Sequence, residues 1–238
     1  MAAPKRFWKQ AAAAETPEGW GVTLDGRPLR TPGRTALLAP TRALAEALAA
    51  EWDAQVEVVD PSTMPLTRSL NTAIDRVADK HAEVVDAVAA YGGSDLLCYR
   101  APHPQGLARR QAEAWDPLLD WAARAHGARL LCAEGVMHVA QPEEALARLR
   151  AAVGAHDPLA LVALHELTVL SGSLVIALAV SAGEIGAEDG WARSRVDETW
   201  QAEQWGEDAE AAALAAAKRA DFLAARRLLD LIADRTDA

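Results

Sequence analysis

Six histidines, at positions 81, 103, 126, 138, 156 and 165, and 34 acidic residues are the groups from which metal or acid–base chemistry would have to be built. A zinc hydrolase of the commonest helical type needs two histidines four apart on one helix face, with a glutamate between them. His165–Glu166 begins that pattern, but position 169 is Val and the second ligand is missing. No other pair of histidines stands at metal-ligand spacing on one helix face, so no metal site is expected. The motifs GxxxxGK[ST], GxGxxG and GxSxG are absent, which leaves phosphate cradles and nucleophile elbows without support. Cys98 and Cys132 are far apart and form no CxxC. They read as buried thiols of a reducing compartment, not as a disulfide framework or zinc ligands.

Binding chemistry has better material. Ser194 to Glu210 reads SRVDETWQAEQWGEDAE, and on a helix Val196, Trp200 and Glu203 share one face while Asp197, Gln201 and Gln204 share the next. A polar strip then borders an apolar one. Trp200 or Trp205 as an aromatic anchor, with Asp197 as its polar partner, has the composition of an interface hot spot. The bland alternative packs both tryptophans into the core and leaves the acids solvated. In a second cluster, Asn71 and Asp75, spaced i and i+4, share a helix face with Arg68 nearby. It reads as a polar network that locks two domains together in preference to a binding site.

These residues need elements to position them. The chain has 238 residues, a mass of 25.3 kDa and a net charge of −10, which argues against a general affinity for nucleic acid or an anionic membrane. Its apolar residues are mostly Ala and Leu, which favours helix. The first sixty residues differ, with Gly and Pro punctuation and short alternating runs. A strand is expected at Arg6–Ala12, and Gly21–Leu24 with Arg27–Arg30 should form a hairpin around Asp25–Gly26, a pair suited to a type I′ turn. Ala36–Ala39 is a further strand, and a helix opening at Thr41 turns Leu44, Leu48 and Trp52 inward.

From Ser62 the pattern is helical. One helix is expected from Met64 to Gly93, and a second over Gln105–Ala125, interrupted or restarted at Asp116–Pro117, with Trp115, Leu118, Trp121 and Ala122 on one side. Residues 130–139 are ambiguous between strand and loop, and Pro142–Val153 is a short amphipathic helix. Asp157 to Gly186 is apolar on every side and should be one buried central helix. His165, Glu166 and the small polar residues at 168 and 171–173 break it too often for a membrane span. Two helices, Ala187–Trp205 and Glu207–Leu231, should follow. The expected class is α+β: a small N-terminal β-rich domain over residues 1–62, then an all-α orthogonal bundle over residues 63–238. The opening MAAPKRFWKQ has no apolar h-region, so a cytoplasmic location is expected.

Seven stretches in order resemble one family: KRFWK at Lys5, LDGRPLRTP at Leu24, EWDAQ at Glu51, MPLTRSLNTAID at Met64, DLLCYRA at Asp95, WDPLLDWA at Trp115 and RVDETWQAEQWG at Arg195. It is the mitochondrial ATP synthase assembly factor 2 family, chaperones that hold the unassembled alpha subunit of the F-type enzyme before it pairs with the beta subunit. Without a presequence and rich in Ala and Arg, the chain resembles a bacterial member. The resemblance implies no catalysis, no catalytic residue and no cofactor, and a partner that is the alpha subunit. It carries two positions over by motif, Trp52 of EWD and Asp197 of RVDETWQ. Trp52 reads as structural; Asp197, with Trp200, Glu203 and Trp205, reads as partner-binding. Two other readings compete: an enzyme of unknown class with a pocket near His165, Glu166 and Asp197, or a passive scaffold subunit of a finished complex.

Overall fold

The computed structural model describes residues 5–135 and 137–234. The first four residues of the N-terminal stretch, and Val136 in the ambiguous 130–139 run, lie outside the described residues. The fold is α+β, with a small four-stranded sheet near the N-terminus and a larger helical part that includes one short strand pair. Its residues group into two compact units. The first takes the described residues up to His81, Pro158–Ala163 and those from Arg227 onward; the second takes Ala82–Asp157 and Leu164–Arg226.

In the first unit, strands β1 (Ala11–Thr16), β2 (Gly19–Leu24) and β3 (Arg27–Pro28) form an antiparallel meander, and β4 (Leu38–Ala39) pairs with the start of β2. Leu24 faces Arg27 across the expected turn, where Asp25 and Gly26 have φ of 49° and 77°, the two positive values a type I′ turn needs. The first strand begins later than the sequence suggests. The Lys9 and Gln10 N–H groups donate to the Asp25 carboxylate at 3.0 Å instead of to a neighbouring strand. Those bonds hold the Asp25 carboxyl below its usual range. Upstream, Lys5 bridges Val58 and the Arg6 N–H donates to the Glu57 carbonyl.

Helix α1 (Arg42–Asp53) is capped by Thr41, whose hydroxyl accepts from the Leu44 N–H, and packs on β1 and β2. Leu44 and Leu48 are fully buried, while Trp52 is half-buried against a cluster of Trp8, Leu24, Val59 and Met64. The helix end explains why EWDAQ is a motif. Glu51 accepts from the Leu66 and Thr67 N–H groups, both at 2.8 Å, and so caps helix α2 (Pro65–Thr72), whose own N-cap Met64 supplies no oxygen. Asp53 meets the Arg6 guanidinium at 3.1 Å, and Gln55 accepts from the Asp60 N–H at 2.7 Å and donates to Thr63 at 3.0 Å.

The long helix expected from Met64 to Gly93 is instead a series: α2, a π-helical turn at Ala73–Val77, a 3-10 turn at Ala78–Lys80, α3 (His81–Ala89) and a 3-10 turn at Ala90–Ser94. Asp75 lies in the π turn. Its carboxylate accepts from the Thr31 hydroxyl at 2.6 Å and the Gly33 N–H at 2.8 Å, tying down the loop after β3. It is a structural tie, with both partners in the first unit.

The second unit is built on α4 (Gln105–His126), which packs against α5 (Glu143–Gly154), α7 (Leu174–Ala182) and α9 (Val196–Trp205). Contrary to expectation, α4 runs through Pro117 unbroken. Trp115 and Leu118 flank the proline and are buried, with Trp121 and Ala122 a turn further on, and Trp115 Nε1 donates to the Arg193 carbonyl at 2.8 Å. A break would unpack that face, which outweighs the one backbone bond a proline removes.

The central apolar stretch also departs from expectation. It forms two helices, α6 (Pro158–Ser171) and α7, separated at Gly172, where φ is 70°. Only α7 is buried on all sides, from Leu174 to Val180; α6 leaves Glu166 and Val169 exposed. The break is held by Asp95, which is fully buried. Its carboxylate accepts from the Ser173 hydroxyl at 2.7 Å, the Val175 N–H at 3.0 Å and the Leu97 N–H at 3.0 Å, capping α7 and the 3-10 turn Leu96–Cys98 together. A short parallel pair, β5 (Tyr99–Arg100) with β6 (Ala133–Glu134), follows that turn. The expected helix Ala187–Trp205 is likewise two, α8 (Ala187–Ser194) and α9, broken at Arg195 with φ −116° and ψ 19°. The Arg193 carbonyl near this break is engaged by the Trp115 indole. The last helix, α10 (Ala209–Ala233), ends the described chain. Among the described residues no helix is long and apolar enough to cross a membrane.

Candidate functional site

Of the residues singled out by pattern, Asp197, Trp200 and Glu203 meet on one seam, where α9 lies along α4. Gln111 Nε2 donates to Asp197 Oδ1 at 2.6 Å, and Arg110 Nη1 pairs with the Glu203 carboxylate at 2.9 Å. The Arg110 guanidinium also sits 5.0 Å from the centre of the Trp200 ring. Hydrogen bonding to Arg110 holds the Glu203 carboxyl below its usual range and pushes the guanidinium's own pKa up. Both side chains face water, so the pair orients the surface more than it stabilises the fold.

Glycine makes room for the indole. A methyl group built at Gly106 would lie 2.6 Å from Trp200 Cη2, so the ring rests directly on the first turn of α4. Trp200 is therefore half-buried packing, not an open anchor. Trp205 is the reverse: it ends α9 and is 79% exposed. It sits in a continuous run, residues 201–211, in which every residue is exposed and four of the acids, Glu203, Glu207, Asp208 and Glu210, fall. The exposure continues along the first turns of α10, where Leu214 is 58% exposed, and the helix meets a core only from Phe222.

Trp52 has a different role in a different unit. Its ring lies 5.3 Å from that of Trp8 in an edge-on contact, within the cluster that joins β2 to the segment before α2. His165 is half-buried and Glu166 exposed on α6. The cavity of about 260 Å³ lined by Asp86, Ala89, Ala90, Gly93, Leu146, Ala147 and Arg150 contains neither of them, nor Asp197. Among the described residues, no three His, Cys, Asp or Glu side chains are placed to hold a metal ion.

Gln111, Arg110 and Gly106 were not anticipated from sequence. Gln111 carried a signal, since it falls four residues before Trp115 on the buried stripe of α4 and is itself buried. A polar residue on an apolar stripe needs a partner. Nothing local says that the partner lies on α9.

Comparison with known proteins gives a consistent set. A family model described as ATP12 chaperone protein matches residues 5–123. The mitochondrial protein atp12 of Schizosaccharomyces pombe is 24% identical over 214 residues, covering 85% of this chain and 74% of that protein. The crystal structure of Atp12 from Paracoccus denitrificans is 49% identical with a TM-score of 0.91, covering 96% of this chain and 98% of that one. An aspartate-to-lysine mutant of the same Paracoccus protein matches at 48% identity and a TM-score of 0.91 over the same shares of each chain.

Proposed function

We propose that this chain, which belongs to the ATP12 chaperone family and stands with its bacterial members, is a holdase for ATP synthase assembly. Its client is the unassembled alpha subunit of the F-type enzyme, kept from aggregating until the beta subunit replaces the chaperone. It works in the cytoplasm and without catalysis. The observation that carries the reading is the near-complete match to a solved Atp12, 96% of this chain at 49% identity.

The exposed end of α9 is the contact surface. An exposed tryptophan beside acids, on a helix whose other face is fixed to α4, presents an aromatic anchor at low entropic cost. Such an interface is partly polar and replaceable, which suits a client that must be handed on. Trp205 makes the contact. Asp197, Trp200 and Glu203 set the angle at which α9 offers it, and Trp52 keeps the first unit folded.

The test is light scattering of the isolated alpha subunit under aggregating conditions, with native mass spectrometry of the mixture. The chain should suppress scattering and form a complex with one copy of each. Trp205→Ala should fold normally and lose most of the suppression. Unchanged scattering with the unaltered chain overturns the holdase role, and full suppression by Trp205→Ala moves the contact elsewhere.

A further inference from the structure

The sequence separates Cys98 from Cys132, but the fold brings them level. In the parallel β5–β6 pair, Tyr99 is matched with Ala133 and Arg100 with Glu134, so each cysteine is the residue immediately before the first rung. Paired strands lie about 4.8 Å apart, and the cysteines stand one residue outside that pairing, Cys98 at the end of the 3-10 turn and Cys132 just before β6. Cys132 is close enough to Cys98 to influence its thiol. Cys132 Sγ also lies 3.9 Å from the Leu97 carbonyl oxygen and 3.8 Å from Arg100 Nη2.

The pair is unequal in a useful way. Cys98 is buried and Cys132 exposed, so the expectation of two buried thiols is corrected for Cys132. Burial, helped by the neighbouring Asp95 and Cys132, pushes the Cys98 thiol up to about 12. Cys98 therefore stays protonated and out of solvent, while Cys132 is open to it, with the Arg100 cation beside its sulfur.

We infer that Cys98 and Cys132 form a reversible disulfide site, in which Cys132 meets a hydroperoxide and Cys98 resolves the product. The Cys132 sulfur attacks the terminal peroxide oxygen and the O–O bond breaks. Water, or an alcohol from an organic peroxide, leaves with the thiol proton, and Cys132 becomes a sulfenic acid. The Cys98 sulfur then attacks the Cys132 sulfur. The S–S bond forms, the S–O bond breaks, and the hydroxyl leaves as water with the Cys98 proton. Two thiols have lost two electrons, and the peroxide has gained them. A resolving thiol that stands beside the sulfenic acid at the head of the strand pair captures it before it is oxidised further. Reduction starts at the exposed Cys132 sulfur and must expel Cys98, a poor leaving group, so the closed form reopens slowly.

The test treats the folded full-length chain with hydrogen peroxide, removes the peroxide, unfolds the chain in the presence of an alkylating agent, and measures its intact mass and peptide map. The expected product has lost two hydrogen masses, takes no alkyl label, shows one peptide linking Cys98 to Cys132, and returns to two labelled thiols after dithiothreitol. Cys98→Ser should leave a sulfenic acid on Cys132 that dimedone traps, and Cys132→Ser should leave Cys98 unmodified. Two alkylated thiols after peroxide, or a sulfinic acid on Cys132 with Cys98 still free, would overturn the inference. The unaltered chain alone distinguishes these outcomes, so a variant that fails to fold does not block the test.

Discussion

Gln111 is buried on α4 and binds Asp197 on α9 through the shortest side-chain contact of the seam, 2.6 Å from Nε2 to Oδ1. Its other amide atom, Oε1, accepts from the Ala101 N–H at 2.8 Å. One side chain thus joins α9 to the chain segment leaving β5, and Asp197 serves as its acceptor. Asp197→Asn keeps an acceptor oxygen and should lower stability by less than about 1 kcal/mol. Asp197→Lys offers only donors and strands the buried amide, at a cost of about 1–3 kcal/mol. Urea denaturation checks both; equal losses for Asn and Lys would show that the acceptor is not what matters.

Trp52 and Trp8 stack edge-on, and neither indole N–H finds an acceptor among the described residues. The ring, not its nitrogen, should carry the stability. Trp52→Ala is expected to cost about 3–5 kcal/mol through the cavity it leaves. Trp52→Phe keeps much of the packing and loses no hydrogen bond, and should cost about 1–2 kcal/mol. Thermal unfolding of the two variants settles the order.

Gly33 touches the Asp75 tie at its closest point. A Cβ there would lie 2.6 Å from Asp75 Oδ1 and 2.8 Å from its carboxyl carbon. Gly33→Ala should therefore push the carboxylate off Thr31 and Gly33 and destabilise by about 1–3 kcal/mol. In Asp75→Ala there is no carboxylate to displace, so adding Gly33→Ala should cost little more. Additive losses in that double-mutant cycle would sink the explanation.

Asp95 gives the fold a pH dependence of unusual sign. Burial raises its pKa above that of an unfolded aspartate, against the lowering effect of the hydrogen bonds it accepts. The native state therefore holds this proton at pH values where the unfolded chain has released it. The contribution is unfavourable at neutral pH and is relieved as pH falls through the folded-state pKa. Asp95→Asn cannot titrate. The stability of the unaltered chain relative to Asp95→Asn should rise as the pH is lowered from neutral toward the ordinary aspartate range, as read from urea midpoints in matched buffers. A difference that stays flat or falls would contradict it.

Much of this protein was legible in local pattern. The Asp25–Gly26 turn followed from residues that tolerate positive φ, and the start of α1 from a threonine placed to cap it. The inward face of α4 followed from the spacing of Trp115, Leu118, Trp121 and Ala122. These features are set within a few residues, so sequence spacing contains their cause. The motif residues of the N-terminal stretches were visible as well, though not their purpose. Glu51, Asp53 and Gln55 stand together because each satisfies backbone or side-chain groups from a different segment.

Tertiary structure decided the breaks and the partners. Period alone made Asp157–Gly186 one helix, and only a carboxylate supplied from Asp95 makes Ser173 the start of a new one. The local cost of a proline suggested a break in α4 at Pro117, and period alone carried one helix across Arg195; neither local signal sees an indole reaching from Trp115 to the Arg193 carbonyl. The candidate site divides the same way. The amphipathic pattern found Asp197, Trp200, Glu203 and Trp205, but their separate exposures follow from where α4 lies. A helix sequence records which residues share a face; what that face meets depends on chain segments far away, whose packing no local pattern encodes.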